Sequence, residues 1–375
     1  MRLPPFWYCR RTCRSHWRMS KYREIFDRLK AEISAGKFVR TGRLPSELAL
    51  QRRFSVARGT VRQAIAALEA EGIVQRQKGV GARLSERPNL ASGRLGLLIP
   101  DMPMYTFFRL LASELSRLVQ GAGHRLMVAE CGSGKEARIA RMAKKGMQNL
   151  IDANVEGVFF RPVVEEPLSS VNLRIVHAFK SRGIPVVLVD SDIVQAPERS
   201  EFDLVGINNV DAGRRVAQHL LATGRKRICY QLDRPSVVSR NRFFGVMGAV
   251  LAAGGRLADE QIIRFAPEDV ASYRRLFARR ASRPDAIVCE DDEVAVRVFK
   301  TLMSLGMRVP QDVALVGCDD VPCAAEHSPQ LTTIHQPVDL IADVALRMLL
   351  TRIRQPGIAT RETLLDAPLI VREST

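Results

Sequence analysis

The sequence predicts an α/β fold in two parts: a small N-terminal helix-turn-helix with a hairpin wing, then a larger unit of doubly wound parallel sheets divided into two lobes. Three observations carry this. Residues 44–84 hold two helical runs with apolar faces, then two β-prone runs around a glycine-rich turn. From Arg94 onward, short continuous apolar runs alternate with runs of helical spacing, the pattern of buried parallel strands and their crossover helices. Charge is the third. Of the net +17, residues 1–93 carry a surplus of 13 (20 Lys and Arg against 7 Asp and Glu), and 94–375 a surplus of only 4 (37 against 33).

The bounds agree with this division. A chain of 375 residues has room for two or three domains, and 46% hydrophobic content supports a sizeable core. A basic excess on the small unit favours approach to a phosphate backbone and makes binding steeply salt-dependent. No run of 18 apolar residues occurs, so no membrane span is expected. Cys9, Cys13, Cys131, Cys229, Cys289, Cys318 and Cys323 are odd in number and scattered, without zinc spacing. They read as reduced thiols of a cytoplasmic protein, with no metal and no cofactor.

Residues 1–20 are basic and aromatic, but their apolar part is too short and interrupted for a signal-peptide core. Met19 directly precedes the first periodic helix and is read as the natural start; the rival is a basic arm that tracks DNA. The helix from Tyr22 to about Gly36 places Ile25, Phe26, Leu29 and Ile33 on one side. Pro45-Ser46-Glu47 opens a short helix, Ser55-Val56 makes a tight turn, and a longer helix follows with Val61, Ala64, Ile65 and Leu68 on its buried face. Gly72 stops it. Runs 73–76 and 82–84 flank the turn 78–81.

On the second helix Arg58 occupies the first turn, while Gly59, Arg62, Gln63 and Ala66 point away from the apolar face. Such a helix suits the DNA major groove, where arginine donates two hydrogen bonds to a guanine edge. At the wing tip, Lys78 and Gly79 suit the neighbouring minor groove, glycine letting the backbone come close to the sugar-phosphate wall. The plainer alternative is a small helical domain with a solvated basic face.

The polar, Pro- and Gly-punctuated run 85–93 reads as a linker. Beyond it, strands are expected at 95–100, 125–129, 155–160, 186–189, 204–207, 227–230, 286–288 and 314–316, with helices such as 107–121, 212–222 and 293–305. About 280 residues is too much for one such sheet, so two lobes are the natural division.

The motifs add more. Pro45-Ser46-Glu47, Val56-Ala57-Arg58-Gly59-Thr60-Val61-Arg62, Glu71-Gly72-Ile73-Val74 and Gly79-Val80-Gly81 together resemble the winged helix of the GntR family of bacterial transcription regulators, over residues 21–84. The resemblance implies double-stranded operator DNA as a partner, contacted by Arg58, Thr60, Arg62 and Gly79, with Ser46, Gly59, Gln63 and Lys78 on the same face. Two positions depart from the family pattern. Leu48 stands where an arginine often follows P-S-E, and Ala57 replaces a serine that would cap a helix, a loss of about 0.5–2 kcal/mol.

The remainder, 94–375, is similar to the ligand-sensing domain of LacI-family repressors, itself like periplasmic sugar-binding proteins. The words that carry this are Gly96 to Asp101, Glu156 to Pro162, Pro185 to Asp190, His219 to Gly224, Pro284 to Cys289, Val309 to Asp320 and Leu331 to Ile334. The resemblance implies a first lobe of 94–223 with 335–353, a second of 224–334 with 354–375, and a small-molecule effector between them at strand C-terminal ends. A sugar, with many hydroxyls around a ring with one apolar face, calls for carboxylates, amides, an arginine and an aromatic platform. The matching positions are Asp101, Phe107, Arg161, Asp190 and Asn208, then Arg242, Phe265, Asp291 and Asp319, with Gln336 near the hinge. Phe107 and Phe265 equally fit ordinary core roles, and Asp101, Asp190 and Asn208 equally fit turns or helix caps. Asp291 replaces the family's usual asparagine, and Tyr105-Thr106 replaces its Asn-Pro.

The expected function is therefore a sequence-specific DNA-binding transcriptional regulator, a repressor, whose operator affinity is set by a sugar or sugar derivative. Closure of the cleft would change the spacing of two winged helices in a homodimer. The alternatives are a vestigial cleft or one for a nucleoside-like molecule or a protein and, less favoured, an α/β enzyme. Against the enzyme, Gly132-Ser133-Gly134-Lys135 lacks the upstream glycine of a phosphate loop, and no nucleophile elbow or metal triad appears.

Overall fold

The computed structural model describes residues 21–375 apart from 35–36, 39–40, 71–72, 78–80, 85–92, 130, 133, 135, 164–168, 195–197, 233–235, 257–258 and 279–282. The expectations for residues 1–20, Gly72, the wing tip at Lys78 and Gly79, and linker positions 85–92 lie outside the described residues. The chain divides between Ser92 and Gly93 into two compact units.

The first unit is built on α1 (Lys21–Ser34), α2 (Glu47–Phe54), α3 (Arg58–Ala70), β1 (Val74–Gln77) and β2 (Gly81–Leu84). The helical spacing of Ile25, Phe26, Leu29 and Ile33 on α1 and of Val61, Ala64, Ile65 and Leu68 on α3 becomes one core, joined by Leu50, Ile73 and Val74. Ser46 caps α2, its hydroxyl accepting from the Ala49 amide at 3.2 Å. Ser55, at φ 50°, turns the chain in the left-handed region between α2 and α3. β1 and β2 pair antiparallel, from Val74 opposite Leu84 to Gln77 opposite Gly81.

The second unit runs β3 (Arg94–Leu98), α4 (Thr106–Gly121), β4 (Arg125–Val128), α5 (Glu136–Asp152), β5 (Gly157–Phe160), α6 (Ser169–Lys180), β6 (Val186–Val189) and β7 (Asp203–Ile207). It continues with α7 (Asn209–Ala222), β8 (Ile228–Gln231), α8 (Val237–Ala252), β9 (Ile262–Ile263), α9 (Val270–Ala278), β10 (Ala286–Cys289), α10 (Asp292–Ser304), β11 (Ala314–Asp319) and α11 (Pro322–Glu326). It ends with β12 (Thr332–His335), α12 (Val338–Arg354), β13 (Glu362–Leu365) and β14 (Leu369–Ile370). Among the described residues two six-stranded sheets result, ordered β13-β7-β6-β5-β3-β4 and β14-β12-β11-β10-β8-β9. All pairings are parallel except β12 with β14. The inner strands are buried along their length, save Asp319 at the end of β11, as continuous Val, Leu and Ile runs require when helices cover both faces.

Two details of the lobe division differ from the expectation. Helix α7, placed in the first lobe by sequence, packs on α8 and β14 of the second. The crossing is set by glycine: a Cβ on Gly213 would stand 1.9 Å from the Arg242 carbonyl oxygen, and one on Gly245 2.0 Å from that of Val210. Strand β13, placed in the second lobe, pairs with β7 of the first, Glu362 opposite Leu204. Asp203 fixes it there, accepting from Arg352 at 2.9 Å and from the Arg361 amide at 2.8 Å.

The chain thus crosses between lobes three times, after β7, after β12 and between β13 and β14. The crossings are bonded to each other: the Asn208 amide donates to the Leu365 carbonyl at 3.3 Å and the His335 amide to that of Pro368 at 2.9 Å.

Candidate functional site

In the first unit, α3 presents Arg58, Gly59, Arg62 and Gln63 to solvent, with Thr60 half-buried. These are positions the apolar period leaves outward. Both arginines lean on Glu47 of α2, Arg58 at 3.1 Å and Arg62 at 3.0 Å. Their hydrogen bonds pull the Glu47 carboxyl below its ordinary value against the opposing effect of its desolvation. Arg76 of β1 donates to the Arg62 carbonyl at 3.0 Å and pairs with Glu69, tying the first wing strand to α3. A Cβ on Gly59 would meet nothing within 4 Å, so its absence is not needed for internal packing.

In the second unit a cavity partly open to solvent lies between the lobes at the C-terminal ends of the strands, the space between its walls being about 560 Å³ with open solvent included. The first lobe contributes Tyr105, Phe107, Phe108, Arg161 after β5 and Asp190 after β6. From the second come Ser236, Val238, Ser239, Arg242 on α8, Glu290 and Asp291 after β10, and Asp319 at the end of β11; Gln336 joins them from the crossing after β12.

Arg161 is 3% exposed, held by Asp101 at 2.5 Å and facing Asp190 at 3.7 Å. Its guanidinium also lies 4.5 Å from the centre of the Phe108 ring. Arg242 donates Nε to Asn209 Oδ1 at 2.7 Å and an Nη hydrogen to the Glu290 carbonyl. The tight α7–α8 crossing therefore aims it. Gln336 donates to Asp319 at 2.7 Å. Asp190 and Asp319 adopt φ of 71° and 105°, values that short polar side chains tolerate better than most and that cluster where strands end at a site. Burial raises the Asp190 and Asp291 carboxyls above their usual range and pushes Asp319 up to about 7.

Of the ten positions expected at this cleft, Phe107, Arg161, Asp190, Arg242, Asp291, Asp319 and Gln336 line the cavity. Asp101 stands behind it as the partner of Arg161. Two lie elsewhere. Asn208 is exposed and caps α7, accepting from the Asp211 amide at 3.0 Å; its neighbour Asn209 is the one that reaches Arg242. Phe265 packs edge-on against Tyr273 at 5.0 Å, and its carbonyl accepts from Gln231. Sequence reasoning missed Tyr105, Phe108, Ser236 and Ser239. The serines form a capping box opening α8, a signal visible as Ser-x-x-Ser before an apolar run.

One further contact joins the lobes. Glu293 in the first turn of α10 accepts from the Thr106 hydroxyl at 2.6 Å and its amide at 3.4 Å, capping α4 from the opposite lobe. The residue that fills the N-cap position of α4, Tyr105, offers no side-chain cap.

Among the described residues no helix is long and apolar enough to cross a membrane, and Cys131, Cys229, Cys289, Cys318 and Cys323 form no disulfide.

Residues 21–84 match the family described as bacterial regulatory proteins, gntR family, and residues 217–375 match the periplasmic binding protein-like domain. The chain is 24% identical over 373 residues to the arabinose metabolism transcriptional repressor of Halalkalibacterium halodurans, covering 95% of this chain and 96% of that one. It is 31% identical over 194 residues to the ribose operon repressor of Escherichia coli, covering 51% and 58%. The transcriptional regulator CelR–cellobiose complex superposes with a TM-score of 0.65 at 23% identity, covering 85% of this chain and 90% of that one, a likeness of fold. The chain therefore joins a GntR-family helix-turn-helix domain to a domain of the periplasmic-binding-protein-like fold.

Proposed function

We propose that this protein is a DNA-binding transcriptional repressor controlled by a sugar bound between the lobes of its second unit. The observation that carries the reading is the convergence, on one cavity, of an arginine and carboxylates from both lobes beside an aromatic wall. Carboxylates and guanidinium groups match the alternating donors and acceptors of a polyol, and a ring such as Phe107 matches its apolar face. The named relatives repress arabinose and ribose genes, and one superposing regulator is in complex with cellobiose. They are regulators, and with them the enzyme reading gives way.

In this reading Arg58, Gly59, Thr60, Arg62 and Gln63 face the major groove, with Ser46 at the start of α2 and Lys78 and Gly79 at the wing. Glu47 holds the two arginines until phosphate or a guanine edge replaces it. A sugar touching both lobes favours the closed arrangement by the difference in its affinity for closed and open forms. Two copies on paired half-sites turn that movement into a change in operator affinity, and the work is done in the cytoplasm, where the DNA lies.

The test is a gel shift on DNA flanking the protein's own gene, with and without arabinose, ribose and cellobiose, beside calorimetry on the same sugars. Arg62→Ala is expected to abolish retention of the DNA while leaving sugar binding unchanged. Specific retention by that variant would overturn the assignment of α3 as the reading helix, and failure of every sugar to bind would overturn the cleft assignment.

A further inference from the structure

The cavity holds more acid than base. Building on the sugar-sensor reading above, we propose that its guest is a cationic polyol, an amino sugar whose ammonium group lies against Asp291, rather than a neutral sugar. Leaving Glu290 aside, Asp190, Asp291 and Asp319 line the cavity against Arg161 and Arg242, and Asp101 already occupies Arg161. Arg242 gives Nε to Asn209 and one Nη hydrogen to a main-chain carbonyl, and its charge is shared between Asp319 and Asp190. Two guanidinium groups therefore face four aspartates.

Asp291 decides the matter. Its Oδ1 caps α10, accepting from the Val294 amide at 2.6 Å. Asparagine caps a helix about as well as aspartate, so the cap does not require a charge. Desolvating that carboxylate is unfavourable unless a cation arrives. Burial raises the carboxyls of Asp291 and Asp319, Glu293 adding to it at the first and Asp291 at the second, and the charge of Arg242, with Arg297 near Asp291, offsets this only in part. A second sign is Arg161 Nε, on the cavity wall and buried, which makes no hydrogen bond within reach and faces Asp190 across 3.7 Å. A ligand hydroxyl oxygen would accept from it while the ammonium faces Asp291. Tyr105, Phe107 and Phe108 line the same cavity, and aromatic rings suit both an apolar ring and a nearby cation.

The experiment is calorimetry on the full chain with paired probes: glucose and glucosamine, galactose and galactosamine, mannose and mannosamine, arabinose and 4-amino-4-deoxyarabinose. At least one amino sugar is expected to bind tenfold or more tighter than its neutral partner, and N-acetylation, which removes the charge, to erase that gain. Asp291→Asn keeps the cap, and an unchanged melting temperature checks the fold. In that variant the preference should fall by about tenfold. Neutral sugars binding as tightly as their amino partners would overturn the proposal and leave the sugar reading standing. Binding by neither class would overturn both. A preference that Asp291→Asn leaves intact would overturn the placement of the cation.

Discussion

The arginines of α3 and those of the cleft are the same residue in opposite settings. Side chains of Arg58 and Arg62 are 64% and 54% exposed and share one carboxylate, Glu47. That of Arg161 is 4% exposed, and Arg242 is buried on α8 with both ends of its guanidinium engaged. An exposed pair contributes little to stability, because water solvates either ion nearly as well. Such arginines can therefore exchange one anion for another at small cost. A buried guanidinium cannot be released, since the carboxylates around it would be left uncompensated in a poorly hydrated site. The first setting suits reversible contact with a polyanion and the second a fixed template.

The comparison breaks most visibly at Arg242. Arg242→Met should destabilise the protein by about 3–5 kcal/mol in urea unfolding, the usual penalty for orphaning buried charge, whereas Arg62→Met should stay within about 0.5 kcal/mol. Equal losses would show that burial is not what separates the two sets.

Next in size is a pH effect. Asp319 is raised from 3.8 in the unfolded chain to about 7 in the folded one, mainly by burial. Between those values the folded form binds the extra proton, so rising pH removes stability, and above about 7 the loss is complete. Relative to Asp319→Asn, the parent should lose a few kcal/mol over that window and run parallel above it. Melting curves across pH read this directly, and parallel profiles throughout would remove Asp319 as the source.

Gly245→Ala tests how Arg242 is aimed. A methyl there meets the Val210 carbonyl, so the α7–α8 crossing must open, at a cost of about 1–3 kcal/mol in chemical unfolding and with weaker ligand binding. The smallest effect belongs to the exposed set: Glu47→Gln should change stability by less than about 1 kcal/mol. Its gel-shift affinity should rise slightly, because the arginines no longer leave a carboxylate to meet DNA.

Much of this was legible in the residues. The core of the first unit follows from spacing alone, since Val61, Ala64, Ile65 and Leu68 can share a face only on a helix. Strand ends were legible too: Arg161, Asp190, Asp291 and Asp319 each follow an apolar run, where a parallel sheet opens to its crevice. Pairings distant in the chain were less so. Nothing local in Glu362–Leu365 announces that β7, far earlier, is its neighbour. The glycines that press α7 onto α8 carry no sign of which helix they meet. Asn208 and Asn209 are adjacent and chemically identical, and only the helix phase decides which caps α7 and which turns inward to Arg242. Phe265 reads as a ring beside the cleft until Tyr273 is seen to claim it. Glu47 reads only as part of a helix opening, because the arginines it holds lie on the next helix.

The three bonded crossings set what kind of movement is available. With Asn208 tied to Leu365 and His335 to Pro368, no single connection can stretch or rotate without dragging the other two. A guest that draws the lobes together must therefore carry all three connections at once, so its dimensions are felt by the joint as a whole and not by one loop.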